Sequence, residues 1–213
     1  MARIDVGKIT LNVEETGEGP AFIFIPGLVG LLNAWQYQVK EFSKRYRCIS
    51  MDHRGAGDSD CPPLNEYSTE AIADDVICMM DTLGIEKAHV AGTSTGGAVL
   101  QNLAIDYPDR LRCCIFSNTW TKADEYICRV QTARKQIALS KGVEAYVKVS
   151  SLFTNGAMQF RYNLDKVMEI EKRSLETVAS PEILAARLEM TMTHDRLDEL
   201  RKIKNPSLII RTR

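Results

Sequence analysis

The sequence has no run of about 18 apolar residues, the length that spans a bilayer as a helix, so no transmembrane segment is expected. It also lacks an excess of charge of either sign. The 27 Lys and Arg residues nearly balance the 28 Asp and Glu residues, which argues against a nucleic-acid or anionic-membrane surface. The opening residues, MARID, lack the apolar core of a signal peptide, and we therefore expect a cytoplasmic protein.

Metal and nucleotide motifs are absent as well. None of the six cysteines forms a Cys-x-x-Cys pair, and no His, Cys and carboxylate cluster has metal-ligand spacing, so we expect free thiols and no metal. A phosphate-binding loop would need Lys after its last glycine, but Ala98 follows Gly97. A dinucleotide fingerprint begun at Gly55 would need its third glycine where Asp60 stands. No cofactor is predicted.

What the sequence does contain is a Gly-x-Ser-x-Gly turn at residues 92–96, entered from an apolar run and left by helix formers. Gly92 and Gly96 flank Ser94, because a Cβ at either position would crowd so tight a turn. Such a turn lifts the Ser94 hydroxyl clear of a sheet at the start of a helix, where free N–H groups favour a negative charge. This pattern predicts a nucleophile whose reaction generates an oxyanion.

The rest of the chain alternates strands and helices, which predicts an α/β fold with a mostly parallel sheet covered by helices on both faces. Right-handed crossovers then bring the strand ends, including the residues after 25, 51, 93 and 117, to one edge. Residues 124–192 carry helical patterns only and predict a cap over that edge. The expected units are residues 1–123 (the first part of the core), residues 124–192 (the cap) and residues 193–213 (the return to the core).

Four features together resemble the α/β-hydrolase fold family over essentially the whole chain. They are Ile25-Pro26-Gly27, the loop DHRGAGDS at residues 52–59, the turn at residues 92–97, and the helical insertion closed by residues 193–195 and 203–206. The second feature is similar to the loop of the small esterase, enol-lactonase and cofactor-free peroxidase branch.

The resemblance implies roles for particular residues. Ser94 would attack an acyl carbonyl, and the oxyanion would be held by the backbone N–H groups of Thr95 and Leu28. Trp120 follows a strand end on the same edge, where a large aromatic side chain is typical of a substrate pocket wall; packing in the core is an equal alternative.

The acid and the base have no counterpart in the sequence. In the family a carboxylate follows the strand that here is residues 207–210, and a histidine follows one further strand. We therefore expect the fold to lack its last strand and helix. His194 could stand in as the base, but a structural histidine near a helix start is the stronger interpretation, and His53 is expected to serve its local turn.

The sequence thus predicts a hydrolase that acts on a small carboxylic ester or lactone through an acyl-serine intermediate. Two alternatives stay open. One is a catalytically inert protein or binding module with the same fold, which the missing acid and base favour. The other is a cofactor-free perhydrolase or peroxidase.

Overall fold

The computed structural model describes residues 1–211, which form one seven-stranded sheet with helices on both faces. The strands are β1 (Ala2–Asp5), β2 (Thr10–Thr16), β3 (Ala21–Ile25), β4 (Arg47–Met51), β5 (Ala88–Thr93), β6 (Leu111–Ser117) and β7 (Ser207–Ile210). They lie in the order β1-β2-β4-β3-β5-β6-β7. The pairs β1–β2 and β2–β4 are antiparallel, and all other pairs are parallel. The predicted fold class is confirmed.

Among the described residues the α-helices are α1 (Gln36–Phe42), α2 (Thr69–Thr82), α3 (Thr95–Asp106), α4 (Glu125–Thr154), α5 (Ala157–Tyr162), α6 (Leu164–Thr177) and α7 (Pro181–Thr193). Three of them begin at side chains that accept a hydrogen bond from the first turn: Ser68 for α2, Asp124 for α4 and Ser180 for α7. Helix α4 is interrupted at Gly142, where φ is +80°.

Strand β3 shows why helices cover both faces of the sheet. Its side chains alternate between the faces, as the two-residue period of a strand requires. Ile23 and Ile25 belong to the large core that includes α2 and α3, whereas Phe22 and Phe24 form a separate aromatic cluster beneath α1. The five residues of β3 are all buried, as in a strand covered on both faces, and they fill two cores.

The order of the strands reverses at β3. The chain leaves β3 through α1 to β4 on one side, and it returns through α2 to β5 on the other side. Because β3 and β5 are paired in parallel, their carboxyl ends lie side by side while their connections diverge. Such a switch point opens a crevice at the edge of the sheet, and ligands of open α/β sheets bind there.

Helices α4 to α7 follow β6 and form the helical insertion (residues 125–193). The main contact within it is between α4 and α7, which share a small core of Ala138, Tyr146, Val147, Leu184 and Leu188. Leu28, in the loop after β3, packs against that core. The insertion therefore touches the edge of the sheet where β3 ends.

Strand β7 ends the described part of the sheet, and there it pairs with β6 alone. Its side chains are exposed, including Leu208, Ile209 and Ile210. This edge thus presents apolar side chains beside unpaired backbone groups, a combination that favours pairing with another strand.

Candidate active site

Ser94 lies on a strained turn between β5 and α3. Its backbone has φ +51° and ψ −119°, outside the regions that residues with side chains ordinarily adopt. The Ser94 N–H donates to the Ser117 carbonyl at 2.9 Å, and the Thr119 hydroxyl donates to the Ser94 carbonyl at 2.8 Å. A Cβ on Gly92 would collide with the Gly96 backbone, so the turn requires glycine there. The strand-turn-helix geometry predicted around Ser94 is present.

Two backbone N–H groups near Ser94, those of Leu28 and Thr95, have no hydrogen-bond partner within residues 1–211. Thr95 is the first residue of α3, where N–H groups lack an acceptor inside the helix. The loop after β3 lies against the serine. A Cβ at the position of Gly27 would be 3.4 Å from the Ser94 Cβ and 3.9 Å from its Oγ. Both predicted oxyanion donors are therefore unengaged in the fold.

A cavity of about 180 Å³ lies between the helical insertion and the loop after β3. Leu28 and Val29 form its wall on the core side, while α4 contributes Tyr146 and α7 contributes Arg187. Ser94 does not line this cavity, but Leu28 does, and its neighbour Gly27 lies against Ser94. The volume is suited to a small organic group.

Trp120 is half-buried and does not line that cavity. Its ring lies edge-on to His194, with the ring centroids 6.5 Å apart, and its carbonyl accepts a hydrogen bond from the Gln101 side chain at 2.8 Å. Contact between Trp120 and a substrate stays a prediction.

His194 is engaged at both ring nitrogens. Nδ1 hydrogen-bonds the Thr69 hydroxyl at 2.9 Å, and Nε2 lies 3.3 Å from the Gln101 side-chain oxygen. The ring is buried, and burial lowers its pKa. These contacts tie the chain after α7 to α2 and α3, so His194 has a structural position and no hydrogen bond to Ser94.

The other two histidines also make no hydrogen bond to Ser94 in the described part of the chain. His89 Nδ1 lies 2.9 Å from the Cys113 sulfur, near the amino end of β5. His53 is fully buried, and neither of its ring nitrogens has a partner in the described part of the chain. None of the three histidines hydrogen-bonds the Ser94 hydroxyl in residues 1–211.

Acidification is expected to destabilise the fold through His53. Burial, together with the nearby Arg187 charge, holds the pKa of His53 well below its ordinary value of 6.5. Below about pH 6.5 the unfolded chain therefore binds more protons than the folded chain. The free energy of unfolding then decreases as the pH is lowered, by up to about 1.4 kcal/mol per pH unit. Urea unfolding at pH 7.5 and 5.5 measures this loss, which we expect to be smaller in His53→Leu. An equal loss in both proteins would contradict the assignment to His53.

The polar residues of the loop at residues 52–59 form hydrogen bonds that hold the loop in place. The buried Asp52 carboxylate accepts hydrogen bonds from the Asn12 side chain at 2.7 Å and from the Leu32 N–H at 2.8 Å. The Ser59 hydroxyl donates to the Asp52 carbonyl at 2.8 Å. Gly57 has φ +51° and lies directly against the Asp52 carboxylate, so a side chain there would displace it. These bonds hold the loop after β4 beside the loop after β3.

Arg187 is a residue that sequence reasoning missed. It lies on α7 with 3% of its surface exposed, and it donates to the Gly55 carbonyl at 3.0 Å and to the Leu28 carbonyl. Its position in the sequence could have revealed its burial, because Arg187 falls on the same helical stripe as the apolar residues Leu184 and Leu188. A charged residue within an apolar stripe is rarely buried without a specific partner.

Within residues 1–211 no group of three or more His, Cys, Asp or Glu side chains could hold a metal ion. None of the helices in that part of the chain is long and apolar enough to cross a membrane.

Comparison with known proteins connects this geometry to a family. The sequence profile of the alpha/beta hydrolase fold matches residues 20–145. A protein of Caulobacter sp. (strain K31) that bears the name carbamate hydrolase RutD is 30% identical over 208 residues, which cover 95% of this chain and 78% of that protein.

Two solved structures show the same architecture. The enol-lactonase from Burkholderia xenovorans LB400 has a TM-score of 0.86 and 26% identity, with 98% of this chain and 80% of that chain covered. A thermophilic esterase from Thermogutta terrifontis has a TM-score of 0.80 and 26% identity, with 95% and 75% covered.

A serine on a strained strand-to-helix turn of a parallel sheet, followed by a helical insertion, defines a hydrolase of the α/β class. The chain belongs to the alpha/beta hydrolase fold family, since the family profile matches more than half of it. The family that the sequence motifs predicted is confirmed.

Proposed function

We propose that the protein hydrolyses a small carboxylic ester or lactone through an acyl-serine intermediate on Ser94. The observation that carries the proposal is the pair of unengaged N–H groups, from Leu28 and Thr95, in the two segments that meet at Ser94. Donors held in advance for a developing oxyanion lower the barrier to acyl transfer, because they need no reorganisation during the reaction. The amino end of α3 adds a partial positive charge at the same place.

Substrate size follows from the cavity under the insertion. Its volume of about 180 Å³ suits a small acyl or alcohol group, and its walls combine apolar side chains with polar groups such as Ser150 and Asn155. Leu28 belongs to this wall and also to the proposed oxyanion site. In this proposal the insertion acts as a cap that holds the substrate while Leu28 holds the reacting oxygen.

The names of similar proteins agree with acyl transfer and widen the substrate class. One structure is an enol-lactonase and another an esterase, while the Caulobacter protein bears the name of a carbamate hydrolase. Esters, lactones and carbamates all present a carbonyl that a serine can attack, and they differ in the leaving group. We favour the ester or lactone, with the carbamate as second candidate.

The chemistry of residues 1–211 predicts a slow reaction. A serine hydroxyl at its ordinary pKa is a weak nucleophile without a base, and no histidine there bonds to Ser94. An activated aryl ester can still acylate the serine because its leaving group needs no proton. Water attacks the acyl-serine less readily without a base, so the intermediate is expected to accumulate.

The test is the first turnover of p-nitrophenyl acetate, followed by absorbance. We expect release of about one equivalent of nitrophenol per chain, followed by much slower steady turnover, as covalent catalysis predicts. Lactones and carbamates offered as competitors then rank the substrate classes. A chain that releases no burst would refute the acyl-serine proposal and favour the inert binding module. Rapid steady turnover would show that Ser94 has a base after all.

A further inference from the structure

The Arg187 side chain joins the helical insertion to two loops of the core, one of which carries the proposed oxyanion donor Leu28. One end of its guanidinium donates to the carbonyl of Leu28, in the loop after β3, and the other donates to the Gly55 carbonyl, in the loop after β4. Gly30, with φ +75°, completes the first loop through a hydrogen bond from its N–H to the Gly27 carbonyl. A side chain at Gly30 would occupy the place of the guanidinium, so the loop is shaped around Arg187.

The positive charge of Arg187 is not neutralised by an ion pair. Within residues 1–211 no carboxylate lies within salt-bridge distance of it, and its Nε has no hydrogen-bond partner. Burial lowers its pKa to about 10, which still leaves it charged at neutral pH. A buried charge of this kind is costly to a fold, and its partners here are backbone carbonyls of the site.

We propose that Arg187 is a positioning residue, which fixes the loop of residues 27–30 and thereby aims the Leu28 N–H at the developing oxyanion. The inference rests on the proposed function of Ser94. Leu28 supplies the N–H to the reaction and its carbonyl to Arg187, so losing the guanidinium frees the same residue that must bind the oxyanion. A displacement of about 1 Å at such a site can cost about a hundredfold in rate.

A purely structural brace would act differently. It would change the stability of the fold, or the affinity of the cavity for substrate, without changing how fast bound ester acylates Ser94. The maximum acylation rate and the ester concentration at half that rate therefore separate the two roles. Both come from the nitrophenol burst measured over a range of ester concentrations.

The experiment compares the parent chain with Arg187→Met, Arg187→Lys and a control, Lys135→Met. Lys135 pairs with Glu189 at 2.7 Å across the outside of α4 and α7, so the control loosens the insertion without touching the loop. We expect Arg187→Met to lower the maximum rate about tenfold to a hundredfold, with the half-saturating concentration within about twofold of the parent. Arg187→Lys should be intermediate, since one ammonium cannot hold both carbonyls in the fork geometry of arginine. Lys135→Met should keep the parental rate.

Folding is checked by cooperative urea unfolding of each variant. A folded Arg187→Met protein with the parental maximum rate would overturn the proposal, as would an effect confined to the half-saturating concentration. If the methionine variant does not fold, the lysine variant decides: a parental maximum rate there would overturn it, and a reduced one would support it. A parent chain without any burst would refute the proposed function as well, whereas a parental burst that is indifferent to Arg187 refutes only this role.

Discussion

Replacing Ser94 with alanine is expected to abolish the covalent acyl adduct. After incubation with p-nitrophenyl acetate, the parent chain should gain the mass of one acetyl group on the peptide that contains Ser94, and the variant should gain none there. Removal of a catalytic nucleophile costs several orders of magnitude in rate, because the remaining site offers binding and oxyanion stabilisation only. Intact-protein and peptide mass spectrometry measure the adduct and its position.

Activated esters also label exposed nucleophiles, so a matched control is needed. Ser140→Ala serves, since Ser140 is an exposed serine on α4 whose hydroxyl bonds its own helix at the Gln136 carbonyl. That variant should be labelled at Ser94 as the parent is. Equal labelling of the Ser94→Ala chain and the parent at the 92–97 turn would contradict nucleophilic attack by Ser94.

Added imidazole extends the same prediction to general-base catalysis at Ser94. Neutral imidazole can accept the hydroxyl proton from solution, and general-base catalysis is worth about a hundredfold to ten-thousandfold when the base is held in place. A free base recovers part of this. Turnover of the parent should therefore rise with imidazole above the rise seen with Ser94→Ala, which reports the reaction of imidazole with the ester alone.

The turn at Ser94 could be predicted from sequence because its causes are local. An apolar strand, two glycines that permit close backbone approach and a following helix lie within twelve residues, and no distant contact has to be known. The alternation of strands and helices likewise predicted the parallel sheet, since buried strands produce continuous apolar runs. The break at Gly142 inside α4 was not predicted, because an isolated glycine does not reveal its φ.

The positions of Arg187, His194 and Trp120 depend on contacts across more than 90 residues of chain or on packing. Arg187 meets Leu28 from 159 residues away, and His194 meets Thr69 from 125. The apolar stripe on α7 includes the position of Arg187, but the carbonyl partners that permit a buried charge there are supplied only by the fold. The sequence therefore predicted a nucleophile and two oxyanion donors, which stay predictions, but it did not predict the buried Arg187 that contacts Leu28.

The loop at residues 52–59 also has a sequence pattern that is recognisable locally and contacts that only the fold reveals. Its resemblance identified the family, yet the task of each residue is visible only in three dimensions. Arg54 is the clearest case: its guanidinium makes two bonds to the Asp75 carboxylate on α2, at 2.7 and 2.8 Å, and each side chain is 5% exposed. Arg54 also donates to the Glu66 carbonyl at 2.7 Å. The loop is thus fastened to the middle of α2 and to the segment that precedes this helix.

Replacing Asp75 with leucine is expected to remove about 3–5 kcal/mol from the free energy of unfolding, since it leaves the buried Arg54 charge without its partner. Natural domains have about 5–15 kcal/mol in total, so the variant should lie near the threshold of folding. Burial raises the pKa of Asp75, and the hydrogen bonds from Arg54 oppose that rise. The Asp75 carboxylate is therefore stabilised in its charged form by Arg54. Urea unfolding at neutral pH, followed by circular dichroism, measures the loss.

Two further variants separate the buried charge from the buried volume. The double replacement Arg54→Met with Asp75→Leu removes both charges and should recover much of the loss, because apolar pairs of similar size often substitute for buried ion pairs. Glu125→Gln breaks the exposed pair with Arg129, whose side chains are 78% and 80% exposed, and should cost less than about 1 kcal/mol. If Asp75→Leu unfolds at the same urea concentration as Glu125→Gln, the Arg54–Asp75 pair does not fasten the loop, and its other contacts, such as those of Asp52 and Ser59, are sufficient to hold it.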